Sequence, residues 1–189
     1  EHPERKRVPV TVKVRSGWDK LHMTWKENLE KAVEAGADAI TLHPRTRAQG
    51  YEGLSDWELL RDFVAAAKGR IPVFGSGDAF TPEKARQMLE VTGVDAVMFA
   101  RGAMGDPFLF RRSIDFLTKG EYVKESTAER IAAGFRELQV NVDEKGESAA
   151  CKLMRKKFCS YSSGIQGGGA LRQQIIYADT VEDYRKIFH

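Results

Sequence analysis

The sequence is short of several things, and each shortage removes a class of protein. Only two cysteines occur in 189 residues, Cys151 and Cys159, without the paired spacing of a zinc site. A disulfide framework is therefore excluded, and incidental thiols of a reducing compartment are the simplest reading. No apolar run approaches the ~20 residues that a membrane span needs, and no signal-peptide pattern is read at the start. A cytoplasmic protein with no membrane partner is the expectation. Strong net charge is also missing: 30 Lys and Arg stand against 27 Asp and Glu, for a net +3, which selects no partner. No internal repeat and no long low-complexity tract is present. With 42 % hydrophobic and 30 % charged residues, the composition is that of a globular chain, not a disordered one.

What is present is alternation. Four short apolar segments rich in Val and Ile, 8–14, 39–42, 71–74 and 96–99, read as buried parallel strands apolar on both faces. Between them lie amphipathic stretches, Trp25–Ala35, Trp57–Ala67 and Pro82–Thr92. Thr81 before Pro82 reads as a helix N-cap with proline in the first turn, and Gly36 and Gly93 read as stops. The interval from strand to strand is about 25–32 residues, one βα unit each. Alternating units imply a parallel sheet. Four of them make half of a TIM (β/α)8 barrel, which needs ~250 residues to close. The chain begins almost on a strand, after a charged leader over residues 1–7, so an N-terminal half is expected to be missing. After Phe110 no strand signal returns. Helices are expected over 127–144, 148–161, 170–177 and 181–188, with a glycine-rich stretch at 164–169. The predicted organisation is α/β: the C-terminal half of a barrel over 1–120, carrying its last four βα units, followed by an all-α helical domain over 125–189.

In such barrels chemistry sits where strands end at their C-terminal side. The first strand ends Lys13-Val14-Arg15-Ser16-Gly17. An ammonium in an apolar strand needs an anionic partner, either an internal carboxylate or an electron-rich cofactor edge. The second strand runs into His43-Pro44-Arg45-Thr46-Arg47, with Tyr51 and glycines behind. The third ends Gly75-Ser76-Gly77-Asp78, where close glycines let backbone amides approach an anion. The fourth ends Ala100-Arg101-Gly102, a short turn suited to phosphate. The last two loops together point to a phosphorylated ligand. Further on, Lys152, Arg155, Lys156 and Lys157, with Arg172 following, form either a solvated helix face or a nucleic-acid patch. Tyr161 either stacks on RNA or belongs to the core.

These segments, taken in order, resemble one family. HPRTRAQGYEG (43–53) with Asp56-Trp57, PVTVKVRSGWD (9–19), IPVFGSGD (71–78), ARGAMGDPFLF (100–110) and LMRKKFCSY (153–161) with Leu171-Arg172 are similar to motifs of the tRNA-dihydrouridine synthases. The resemblance covers essentially the whole chain. It implies FMN as cofactor, NADPH as reductant, and reduction of the uridine 5,6 double bond in tRNA. Residue by residue it implies flavin contacts for Lys13 and His43, and phosphate-side contacts for Ser76, Gly77, Asp78, Ala100 and Arg101. Arg45 and Arg47 would lie near the flavin and the incoming RNA. Lys152, Arg155, Lys156 and Arg172 would hold tRNA phosphates. Pro44, Ser76 and Ala100 depart from the residues usual in the family, and Pro44 lacks an N–H donor. The family's proton-donating cysteine, in an Asn-x-Gly-Cys-Pro motif of the first half-barrel, has no counterpart here. No catalytic residue is therefore assigned within the chain, and the chain alone is expected to be inactive. The complete protein is expected to be monomeric, while the isolated chain, with open sheet edges, is expected to self-associate. Two alternatives remain at this point: an FMN barrel acting on a small molecule, and a non-catalytic RNA-binding remnant.

Overall fold

The computed structural model describes residues 7–188, so most of the charged leader, residues 1–6, lies outside the described residues. Four strands, β1 (Thr11–Arg15), β2 (Ala39–His43), β3 (Val73–Ser76) and β4 (Ala96–Met98), form one parallel sheet in the order β1-β2-β3-β4. Helices α1 (Trp25–Glu34), α2 (Trp57–Ala67) and α3 (Pro82–Thr92) connect successive strands. This is the βα alternation expected from the periodicity. A 3-10 turn (Arg101–Ala103) follows β4, and then come α4 (Leu109–Lys119), α5 (Thr127–Lys145), α6 (Glu147–Tyr161), α7 (Gly168–Ile175) and α8 (Val181–Phe188). The chain divides into two compact units, Glu1–Gly102 and Ala103–His189, with α4 in the second. None of the described helices is long and apolar enough to cross a membrane.

Local chemistry sets the boundaries. Asp56 and Thr81 cap α2 and α3 by accepting the N–H of Leu59 at 2.9 Å and of Lys84 at 3.2 Å. Gly93 closes α3 in the left-handed region, at φ +74°. Two strands are shifted from their expected spans, and proline is the reason. Pro9 cannot join a ladder as a donor, and the Val10 N–H goes instead to Asp38 at 2.7 Å, so β1 begins at Thr11. Pro72 offers only its carbonyl, to Ile40, and β3 begins one residue later at Val73.

The expectation that all four strands are buried on both faces holds only for the interior of the sheet. All of β2 is buried, whereas β1 alternates between exposed and half-buried and β4 is half-buried throughout. The difference is positional: β1 and β4 each have one neighbour. Leu29, Ile40, Leu42, Leu60, Phe63 and Met88 are fully buried in the core of this unit. Gly75 belongs to that packing. A Cβ there would lie 2.7 Å from Met88 Sδ and 2.9 Å from Leu60 Cδ2, so a larger residue requires those side-chain ends to move.

Among its described residues the second unit is helical throughout. Ser126 and Glu129 start α5 with a reciprocal capping box. Phe158 lies stacked on Tyr184 (ring centroids 4.5 Å apart) and Phe188 (5.2 Å), with Phe135 edge-on at 5.3 Å. Tyr161 is 3 % exposed and its hydroxyl donates to Glu137 at 3.0 Å, so it is part of this core and is not presented to RNA.

Candidate functional site

A parallel sheet carries all its C-terminal strand ends to one rim. Here that rim encloses a hollow of about 150 Å3. All seven residues expected to contact a cofactor line it: Lys13, His43, Ser76, Gly77, Asp78, Ala100 and Arg101. Sequence register explains the arrangement. Arg15 pairs with His43 and Ser76 with Met98, so the strands end nearly level. The 3-10 turn after β4 is the short helical turn expected there.

The charge distribution is one-sided. Lys13 stands exposed on the edge strand, and none of the described carboxylates pairs with it. Of the two partners allowed by the sequence, the internal carboxylate is therefore not the one found. Shielding on the hollow side, and then the neighbouring Arg15, lower its pKa from the ordinary lysine value. His43 is 8 % exposed. Burial first, then the charges of Lys13, Arg15 and Arg45, push its imidazole down to about 4, against a smaller opposing pull from Asp78. It is a neutral ring at pH 7.

That depression has a consequence for stability. As pH falls through the ordinary histidine value near 6.5, the unfolded chain takes up a proton that the folded chain refuses until about 4. Stability is complete above this window and is lost within it, by about 2 kcal/mol at pH 5. A His43→Gln variant lacks this contribution. Urea denaturation at pH 7.5 and pH 5 is expected to show a pH loss smaller by about that amount in the variant. Equal losses in both proteins would refute the buried neutral ring.

Anion-binding capacity comes from the backbone. The N–H groups of Asp78, Ala100, Arg101 and Gly102 donate to none of the described protein acceptors. Gly77 is at φ +117°, and Trp57 Nε1 holds its carbonyl at 3.2 Å. The Arg101 guanidinium carbon stands 4.2 Å from the Tyr51 ring centroid and 5.3 Å from that of Phe80. Its Nη2 is 3.7 Å from the Asp78 carboxylate.

The two arginines after β2 separate. Arg47 is exposed, and its guanidinium has no partner among the described residues. Arg45 is 2 % exposed, and Nη2 donates to both Asp78 oxygens at 2.9 Å and to the Gly53 carbonyl at 2.6 Å. As folded here it braces the loop and does not face outward. The Asp78 carboxylate is likewise taken up by protein groups, which leaves its backbone N–H as the free donor. In the second unit Lys152, Lys156 and Arg172 are exposed. Arg155 is drawn aside to Asp179 at 2.6 Å and the Ala178 carbonyl at 3.0 Å. Cys151 and Cys159 are free thiols, both on α6.

Sequence reading gave no role to Arg15, Ser55 or Phe80. Arg15 donates to the carbonyls of Thr46 at 2.7 Å and Gly50 at 3.3 Å. Its position two residues beyond Lys13, on the same face of one strand, was the available signal. Ser55 and Phe80 carried none.

Fold and rim together define a parallel α/β protein whose strand ends form a cationic, amide-lined hollow suited to an anionic ligand. The family model for dihydrouridine synthase matches residues 4–186, and the chain belongs to that family. It is 48 % identical over 183 residues to a probable tRNA-dihydrouridine synthase of Treponema pallidum, covering 96 % of this chain and 54 % of that protein. It is 38 % identical to probable tRNA-dihydrouridine synthase 1 of Synechocystis (93 % and 49 % covered) and 35 % identical to tRNA-dihydrouridine synthase B of Pasteurella multocida (88 % and 50 % covered). The chain thus spans about half the length of the curated relatives it matches.

Proposed function

We propose that this chain supplies the cofactor-phosphate rim and an RNA-holding surface of an enzyme that reduces the 5,6 double bond of a tRNA uridine, using FMN recharged by NADPH in the cytoplasm. The observation that carries this reading is the convergence, in one hollow, of four unsatisfied backbone N–H groups with Lys13 and His43. The donor set fits a flavin mononucleotide. The N–H groups of Asp78, Ala100, Arg101 and Gly102 suit its phosphate, since unpaired amides at a turn favour negative charge. Lys13, with no carboxylate of its own, suits the ring edge on which negative charge develops, and neutral His43 adds no competing charge.

Bound in reduced form, the flavin would supply hydride to C6 of the uracil ring. The chain's own residues bind and orient. The target base has to leave the RNA stack to reach the rim. None of this chain's residues is assigned proton delivery to C5; its two cysteines lie on α6, outside the rim. The chain alone is therefore proposed to be inactive, and β1 and β4, each with one neighbour, to be edges that the first half of a (β/α)8 barrel would cover. That complete protein is proposed to be a monomer. The chain made alone is proposed to associate through those edges, and a monodisperse monomer in sedimentation would contradict this.

The test uses the complete protein. It is expected to carry the visible flavin absorption band, to bind tRNA, and to lose flavin on Lys13→Ala. A colourless protein that binds tRNA would overturn the cofactor assignment, and a flavoprotein indifferent to tRNA would overturn the substrate. Salt dependence gives a finer prediction. Removing Lys152, Lys156 or Arg172 singly should weaken tRNA binding and flatten the log–log salt slope by about 0.7–0.9 each. Arg155→Ala, already paired with Asp179, should flatten it less. Four equal changes, or none, would reject the assignment of these contacts.

A further inference from the structure

Three rim loops meet on one carboxylate. Asp78 sits at φ +56°, a region that non-glycine residues seldom occupy. Both of its oxygens accept from Arg45 Nη2 at 2.9 Å, Oδ2 accepts the Ser55 N–H at 2.7 Å, and Arg101 Nη2 stands 3.7 Å from Oδ1. Arg45 extends the tie by donating to the Gly53 carbonyl at 2.6 Å. The loop after β2 is thus gripped at residues 45, 53 and 55 through a residue whose own N–H is a free donor at the hollow. From the other side Arg15 grips the same loop at the carbonyls of Thr46 and Gly50. Between these grips lies residues 47–53, with Gly50 and Gly53 both at φ +59° and Tyr51 61 % exposed.

We propose that Asp78 is a positioning residue that couples capture of a phosphate at the β3 and β4 turns to the order of residues 47–53. The inference rests on the reading of the hollow as a site for a phosphorylated cofactor. Its physical basis is short. A phosphate that takes the Asp78 N–H fixes the backbone of that turn. Fixing the backbone fixes the direction of the carboxylate, and so the seats of Arg45, Gly53 and Ser55. The phosphate also competes for Arg101, which is shared between Asp78 and the Tyr51 ring. Coupling of binding events is reciprocal. RNA that orders residues 47–53 therefore tightens the phosphate ligand by the same factor, and cofactor loading prepares the loop that carries Arg47 and Tyr51.

Amide hydrogen exchange on the complete protein reads this directly. The N–H groups of Arg47, Ala48, Gln49 and Gly50 each donate within the protein, to Gly17, Trp18, Thr46 and Arg47, so their exchange reports local opening. FMN is expected to slow them about tenfold or more, the low end of ordinary coupling between sites. Riboflavin, which has the ring without the phosphate, is expected to leave them unchanged even at saturation. In Asp78→Asn, which keeps the shape, one acceptor oxygen and the backbone N–H, the slowing at saturating FMN should fall below about twofold. Equal slowing by riboflavin, equal slowing in the variant, or FMN binding without slowing in the natural protein would each overturn the coupling while sparing the cofactor reading. Failure of the natural protein to bind FMN at all would overturn both. Should Asp78→Asn not fold, the comparison of FMN with riboflavin on the natural protein decides the matter alone.

Discussion

Replacing Arg45 by methionine is expected to destabilise the first unit by about 3–5 kcal/mol, the usual cost of removing one partner from a buried ion pair. The guanidinium is 2 % exposed and makes three hydrogen bonds, two to Asp78 and one to Gly53. Without it, a carboxylate that is only 18 % exposed keeps the Ser55 N–H and a distant Arg101. Those remaining groups place the expected cost toward the lower end. Measurement is simple because all three tryptophans, Trp18, Trp25 and Trp57, lie in this unit, so their fluorescence in urea follows it selectively. The midpoint should fall by about 2 M for an ordinary dependence on denaturant. Adding Asp78→Asn to Arg45→Met should cost less than the sum of the two single changes, because the stranded charge goes with it. Strict additivity would mean that the pair is not coupled. A loss below about 1 kcal/mol, the value of a surface pair, would mean that Arg45 is not the buried brace described above.

Gly77→Ala is expected to be comparably severe, at about 4 kcal/mol, for two separable reasons. The residue sits at φ +117°, where a side chain is strained by roughly 1–3 kcal/mol. The added Cβ would also fall 2.2 Å from Ser55 Oγ and 3.0 Å from His43 Cδ2, an overpacking worth about another 1–3 kcal/mol. Combining Gly77→Ala with Ser55→Gly removes the closest collision, keeps the backbone N–H that Asp78 needs, and should recover about half of the loss. Full recovery would mean that backbone strain contributes nothing, and no recovery that the contact with Ser55 is not the obstacle. Gly75→Ala makes a useful contrast. Its neighbours are the flexible ends of Met88 and Leu60, which can move, and the cost should stay near 1–2 kcal/mol.

Much of this was written in the sequence because the signals are local. Apolar segments bounded by Gly and Pro gave the strands, and Thr81-Pro82 and Gly93 marked the ends of α3 on the residues where it starts and stops. The members of the rim were also legible, since a parallel sheet delivers every strand's C-terminal end to one side, so that reading the four ends in order collects the lining of the hollow. Residue direction was not legible. Arg45 and Arg47 are two positions apart in one motif, yet one is a buried brace and the other faces solvent, because the partner of Arg45 is 33 residues away at Asp78. Arg155 leaves the basic face of Lys152 and Lys156 for the same kind of reason, with Asp179 being 24 residues downstream. The sequence by itself determined which elements form, in what order, and which residue types stand at the rim, since those follow from spacing and from caps a few residues apart. Only the tertiary structure decided which charges are spent inside and which remain to meet a ligand, because a charge turns toward whichever partner the fold brings within reach.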